Sequence, residues 1–168
     1  MMNETPTFKF ALLEGLSEQF LPTRGSEKAS GWDVRATSNH TIGTGQYAKI
    51  SLGFRAFSPP DWWLELRPRS SSFAKKNLHA LYGVIDEDYE GELVFACQYL
   101  PPANHRVGTG WSFERDVLEI KFGDAIGQLI PVRRQEMLVE QVSNEEYERL
   151  INERNFNRGA GGFGSTSK

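Results

Sequence analysis

The sequence predicts an all-β fold with one helix, on three observations. Apolar and polar residues alternate over short runs, the period-two signature of half-buried strands. The 16 glycines and 8 prolines in 168 residues break those runs at turn spacing. Only one segment, near the C-terminus, carries apolar residues at helical spacing. A chain of this length supports one domain with a sizeable core.

Composition narrows the function classes. The net charge is -3 with acids and bases mixed, so no basic block offers a non-specific nucleic-acid surface. The single cysteine, Cys97, has no partner for an internal disulfide or a common zinc motif, which fits a reducing compartment. No apolar run approaches the roughly 20 residues of a membrane span, and the N-terminus lacks a signal-peptide pattern. The expectation is a soluble intracellular protein, cytoplasmic or nuclear. No internal repeat at a fixed period is present.

Taken in order, residues 8–13 read as a first strand. A polar loop at 22–30 leads into Gly31-Trp32-Asp33-Val34-Arg35-Ala36. Asp33, between an aromatic and an aliphatic residue, is either a half-buried carboxylate or a turn Asp bonded to nearby backbone N–H groups. Residues 47–57 form a strand with Ile50, Leu52 and Phe54 on one face, and the turn Ser58-Pro59-Pro60-Asp61 leads to another at 62–66. That strand runs into Arg67-Pro68-Arg69-Ser70-Ser71-Ser72. Its guanidinium and hydroxyl donors suit an oxyanion such as phosphate; as a plain polar loop, its serines would cap a following turn.

Residues 82–93 (Tyr-Gly-Val-Ile-Asp-Glu-Asp-Tyr-Glu-Gly-Glu-Leu) read as a hairpin with an acidic turn. Asp86 directly follows Val84 and Ile85, so its carboxylate is expected on a rigid element, partly shielded from water. Tyr89 is expected to line the cavity that the hairpin encloses. The plain alternative is a solvated acidic turn. A strand continues over 93–100, and 101–115 looks like a long polar loop. Residues 117–122 alternate again, and 123–130 are a turn into a strand with Gln128 at its centre, where a glutamine ordinarily faces the surface. Ser143-Asn144-Glu145-Glu146 matches a capping box and opens a helix over 143–154. Its stripe of Tyr147, Leu150 and Ile151 reads as core packing. The glycine-dense end, 156–168, reads as a mobile tail: either a linker, or a strap closing over a phosphorylated ligand through Arg158, Phe163 and its hydroxyls.

Five of these segments, in order, resemble the five motifs of the homotrimeric dUTP pyrophosphatases (dUTPases). They are Gly31-Trp32-Asp33-Val34-Arg35-Ala36, Pro68-Arg69-Ser70-Ser71, Gly83-Val84-Ile85-Asp86-Glu87-Asp88-Tyr89, Gly123-Asp124-Ala125-Ile126-Gly127-Gln128 and the tail from Arg158 to Thr166. The resemblance implies a jelly-roll-like β-barrel subunit over 1–155 and a homotrimer whose sites draw on all three subunits. It implies hydrolysis of dUTP to dUMP and pyrophosphate, with Mg2+ bound through the triphosphate and water rather than directly by protein. Asp86 would activate the attacking water. Tyr89 would pack under the deoxyribose, and the backbone of Gly83, Val84 and Ile85 would read uracil. Arg69, Ser70, Ser71 and Gln128 would hold phosphates, with Asp33 supporting them from behind. Arg158 would bind the distal phosphate, Phe163 would stack on uracil, and Gly164, Ser165 and Thr166 would contact phosphates.

Three departures bear on this expectation. Ser71 stands where the motif more often has Gly, a pattern shared with the related dCTP deaminases. Aligning Asp86 and Gly91 puts Ala96 where a deaminase needs its general-base Glu, which favours the pyrophosphatase branch. Ala125 stands where many members have Arg. Residues 101–115 look inserted, and Trp111 with Phe113 in this stretch suggests a surface for a protein partner. A dUTP-responsive regulatory protein is the alternative from a different class of function.

Overall fold

Alternation in the sequence becomes sheet where one face has a core to cover. The computed structural model describes residues 5–101, 103–107, 110–113 and 117–154, with 103–107 and 110–113 described by their backbone. Its strands are β1 (Lys9–Leu12), β2 (Thr23–Arg24), β3 (Trp32–Arg35), β4 (His40–Gly43), β5 (Tyr47–Phe57), β6 (Trp62–Pro68), β7 (Leu78–Ala80), β8 (Gly83–Ile85), β9 (Glu92–Tyr99), β10 (Ala103–Val107), β11 (Gly110–Phe113), β12 (Val117–Ile120) and β13 (Ala125–Arg133). The described residues also hold two helices, α1 (Ser70–Lys76) and α2 (Asn144–Arg154), and a short 3-10 turn at Glu18–Phe20.

Two antiparallel sheets dominate residues 1–135: β1-β5-β9-β7 and β2-β3-β13-β6-β8. Their inner faces share one core. Ile50, Leu52, Phe54, Leu93 and Phe95 come from the first sheet, and Val34, Leu64, Leu66, Ile126 and Leu129 from the second. The β4–β12 pair adds Ile42, Leu118 and Ile120. This is the jelly-roll-like, mostly β arrangement expected from the sequence. Gly127 marks how closely the sheets approach: a Cβ there would lie 3.0 Å from the Phe95 ring and 3.1 Å from the Arg67 carbonyl oxygen.

Four expectations need correction. Residues 82–93 are not a hairpin: β8 pairs with β6 in one sheet, and β9 pairs with β5 and β7 in the other. The acidic turn is therefore a crossover between sheets, closed by the Tyr89 N–H donating to the Asp86 carbonyl at 3.2 Å. The supposed loop after β6 is the helix α1, which ends at Asn77 in the left-handed conformation (φ 51°), an αL cap. Its Ser72 hydroxyl is buried and donates to the Ile126 carbonyl at 2.7 Å, fastening the helix to β13. The supposed polar loop at 101–115 contains the antiparallel pair β10–β11.

The fourth correction concerns α2, which lies in a second unit, residues 136–168. Half of the capping box forms: the Ser143 hydroxyl accepts the Glu146 N–H at 3.1 Å, while the Glu146 carboxylate turns to Arg149. No residue of α2 is buried, so Tyr147 and Leu150 are not core packing within one chain. Just before it, Leu138 and Val139 are fully exposed.

Candidate active site

Strand register lines up residues from distant parts of the sequence. Gln128 of β13 sits between Asp33 of β3 and Arg67 of β6, and one row further Leu129 sits between Trp32 and Leu66, with Leu66 paired to Gly83 of β8. Four strands thus bring the candidate segments into two adjacent rows of one sheet. Neighbouring strands are about 4.8 Å apart, so the three gaps from β3 to β8 span roughly 14 Å.

At one end of this row is a polar corner. Arg69, the N-cap of α1, reaches back so that its Nε lies 3.2 Å from the Asp33 carboxylate. Gln128 is half-buried rather than surface-facing, and its side chain packs on Gly31, where a Cβ would come within 3.0 Å of Oε1. Ser70 and Ser71 open α1 beside Arg69, Ser70 exposed and Ser71 half-buried. The corner presents a guanidinium, hydroxyls and an amide, a donor set for an oxyanion. The far end of α1 is tied down by Lys76, whose ammonium donates to Asp124 at 2.6 Å. Partial burial works to raise the Asp124 pKa, but the Lys76 hydrogen bond, the Lys121 N–H and the two lysine charges together lower it.

At the other end is a pocket of about 410 Å³ lined by Gly83, Val84 and Ile85 of β8, Tyr89, Leu66 and Ala96 among others. A backbone edge from β8 and a tyrosine ring suit a planar ring and its sugar. Lys49, Tyr82 and Glu92 also line it, and the sequence assigned none of them a role. Nothing local marks them, because they come from β5, the approach to β8 and the start of β9. Ala96 places a methyl group, not a carboxylate, on the wall.

Asp86 differs from expectation. Its side chain is exposed in the single chain, not partly shielded. It opens with Val84 onto a neighbouring recess of about 690 Å³ shared with Trp62, Trp63, Glu87 and Arg134. The turn that carries it is fixed: Glu87 accepts the Asp61 N–H at 3.0 Å, and Arg134 donates to Asp61 at 2.9 Å while lying 3.7 Å from Glu87. Arg158, Phe163, Gly164, Ser165 and Thr166 lie outside the described residues, as do the side chains of Trp111 and Phe113. Cys97 is buried on β9, and burial pushes its thiol up to about 11, so it is inert as a nucleophile.

Comparison with known proteins fits this geometry. A profile of the dUTPase family matches residues 18–99. The deoxyuridine 5'-triphosphate nucleotidohydrolase of Paramecium bursaria Chlorella virus 1 is 33% identical over 145 residues, covering 86% of this chain and 88% of the viral one. The rat protein of the same name is 31% identical over 88% of this chain, which spans 62% of the rat protein's length. Among solved structures, a mutant of the Staphylococcus bacteriophage 80alpha dUTPase with dUpNHpp matches with a TM-score of 0.75 at 21% identity, covering 96% of this chain and 98% of the other. A mutant of the dUTPase from phage phi11 of S. aureus, described as coordinating a structural Mg(II) ion, matches with a TM-score of 0.66 at 21% identity, covering 82% and 97%. Convergent segments, family profile and relatives agree: the chain belongs to the dUTPase family, enzymes whose general activity is hydrolysis of dUTP to dUMP and pyrophosphate.

Proposed function

We propose that this chain hydrolyses dUTP to dUMP and pyrophosphate, limiting uracil incorporation into DNA and supplying dUMP. The observation that carries the reading is the two-row alignment. Its polar row carries the oxyanion-binding corner of Asp33, Arg69 and Gln128, and the next row, whose side chains face the opposite side of the sheet, leads to the Tyr89-lined pocket. Deoxyuridine would occupy the pocket, with the backbone of Gly83, Val84 and Ile85 on the uracil edge and the Tyr89 ring against the sugar. Arg69, Ser70, Ser71 and Gln128 would bind phosphate oxygens, and Asp33 would orient the Arg69 guanidinium.

Asp86 would accept a proton from the water whose oxygen attacks the α-phosphorus, and pyrophosphate would leave in line. The protein's contribution is mostly positioning and charge stabilisation. Its donors at the polar corner are cationic and hydroxylic, a set that takes phosphate oxygens rather than a cation. Mg2+ therefore fits as an ion carried by the triphosphate and its waters, and would neutralise phosphate charge there. The tail would supply Arg158 to the distal phosphate, Phe163 over uracil, and Gly164, Ser165 and Thr166 to phosphates, closing the site and opening for product release.

A homotrimer with shared sites accounts for two features of the single chain. Leu138 and Val139 are fully exposed, and Asp86 opens to solvent beside Val84, which is 61% exposed. Neighbouring subunits would cover the apolar surface and complete the recess around Asp86. An intracellular setting fits the buried free thiol of Cys97. Deamination of dCTP is disfavoured because Ala96 offers no general base. Asp86→Asn tests the assignment: it should keep nucleotide binding and lose turnover by orders of magnitude. Near-normal turnover would remove Asp86 from its role.

A further inference from the structure

Tyr89 is 44% exposed, so core packing does not fix its ring. What holds it is a chain of contacts that runs away from the pocket. The ring folds back over Gly91: a Cβ there would lie 2.4 Å from the tyrosine oxygen and 2.6 Å from Cζ. In that position the hydroxyl donates to the Glu92 carbonyl at 3.1 Å. The half-buried Glu92 side chain is held in turn by the Ser51 hydroxyl, which donates to its carboxylate. Ser51 is itself fixed, because its hydroxyl oxygen accepts from the Thr37 hydroxyl at 2.9 Å and the Gly53 N–H at 3.2 Å. Here the β5–β9 register shifts between Ser51 and Arg55, and Gly53 turns to φ 75°. The irregularity turns the Ser51 hydroxyl into a junction between β5 and the start of β9.

We propose that Ser51 and Glu92 are positioning residues for sugar selection: through the Glu92 backbone they hold the Tyr89 ring at the depth that admits a deoxyribose and excludes a ribose. This rests on Tyr89 facing the sugar, as in the proposed function. A hydroxyl at the ribose 2' position needs about the volume of one water, so a small outward movement of an unanchored ring would admit it. Ser51 does not line the pocket. Its hydroxyl reaches the pocket through the Glu92 carboxylate it holds, and its backbone through the paired Val94, so the hydroxyl-deleting variant and the Tyr89 resonances isolate the Glu92 route.

The test compares kcat/KM for dUTP and UTP in the wild type, Ser51→Ala, Glu92→Ala, Glu92→Gln and Tyr89→Phe. Thermal midpoints and the Tyr89 ring resonances are followed by NMR on the same samples. Losing one anchoring hydrogen bond should lower the dUTP:UTP ratio roughly two- to tenfold in Ser51→Ala and Glu92→Ala. Both should shift the Tyr89 resonances. Glu92→Gln, whose amide oxygen still accepts from Ser51, should restore both. In the Tyr89→Phe background Ser51→Ala should have little further effect on the ratio. A lower midpoint with an unchanged ratio and unmoved Tyr89 resonances would reduce the Ser51–Glu92 contact to a structural role and overturn the proposal. Were the wild type to act on neither nucleotide, the proposed function would fail, and the resonances alone would decide whether Ser51 and Glu92 hold the ring.

Discussion

The Arg69–Asp33 ion pair, which we propose to serve phosphate binding, contributes little to stability. The two side chains are 37% and 21% exposed, and an ion pair of that kind contributes about 0–1 kcal/mol. Its proposed effect is directional: Asp33 would set where the guanidinium points. Asp33→Asn should therefore leave unfolding free energy within ~1 kcal/mol of wild type while lowering kcat/KM for dUTP several-fold, read by denaturation and steady-state kinetics. Equal kinetics in the variant would leave Asp33 a surface residue. The sequence marked Arg69 through a guanidinium beside hydroxyls that suit an oxyanion, whereas Asp33 and Gln128 became candidates only through the resemblance to the dUTPase motifs. It left Ser51 and Glu92 unmarked, since a serine in an alternating strand and a glutamate after a turn are ordinary, and only the fold brings them together.

Among the elements, the strands were the most legible part of the chain. Ile50, Leu52 and Phe54 alternate in the sequence, and all three are fully buried. The helix α1 was hidden because three serines, poor helix formers, follow a Pro-Arg pair. Its end signals, Lys75-Lys76 followed by Asn77 in the left-handed region, become meaningful only once the helix is known. The hairpin expectation over 82–93 failed for a general reason: a local pattern gives two strands and a turn, while distant β5 and β6 decide their partners. The turn at Gly53 makes a stability prediction. Its φ is 75°, and a Cβ would lie 2.2 Å from Leu16 and 2.6 Å from Thr37, so Gly53→Ala should cost about 1–3 kcal/mol in denaturant unfolding. A neutral result would mean that the β5 irregularity is soft.

The junction of α1 with β13 carries a pH dependence. The Asp124 pKa is depressed in the folded chain, so its contribution is present above the ordinary Asp value of ~3.9 and is lost as pH falls through the folded value. Lys76→Met should make stability less dependent on pH below about 4, with an effect of ~0–1 kcal/mol because the pair is one-third exposed. Unchanged acid unfolding curves would show that the pair contributes nothing.

For the molecule as a whole, the fold class followed from strand alternation and turn residues, and the family from five motifs in order. Assembly was not legible in the residues. The Tyr147, Leu150 and Ile151 stripe says that one face of α2 is apolar, not what covers it. Truncation after Arg154 should leave residues 1–135 folded by circular dichroism and abolish most activity, since Arg158 and Phe163 would be gone. A fully active truncate would make the tail a linker. Glutamate at both Leu138 and Val139 should reduce the trimer measured by light scattering. Deleting 101–115 should leave dUTP turnover unchanged, and an unchanged set of bound proteins would remove the idea of a partner surface there.

The proposed site hydrolyses dUTP and selects both base and sugar. Its most direct test is pyrophosphate release with Mg2+ from dUTP, dCTP, dTTP and UTP side by side, with ammonia followed in parallel. Rapid release is expected from dUTP, little from the other three, and no ammonia. Ammonia from dCTP, or no pyrophosphate from dUTP, would contradict it.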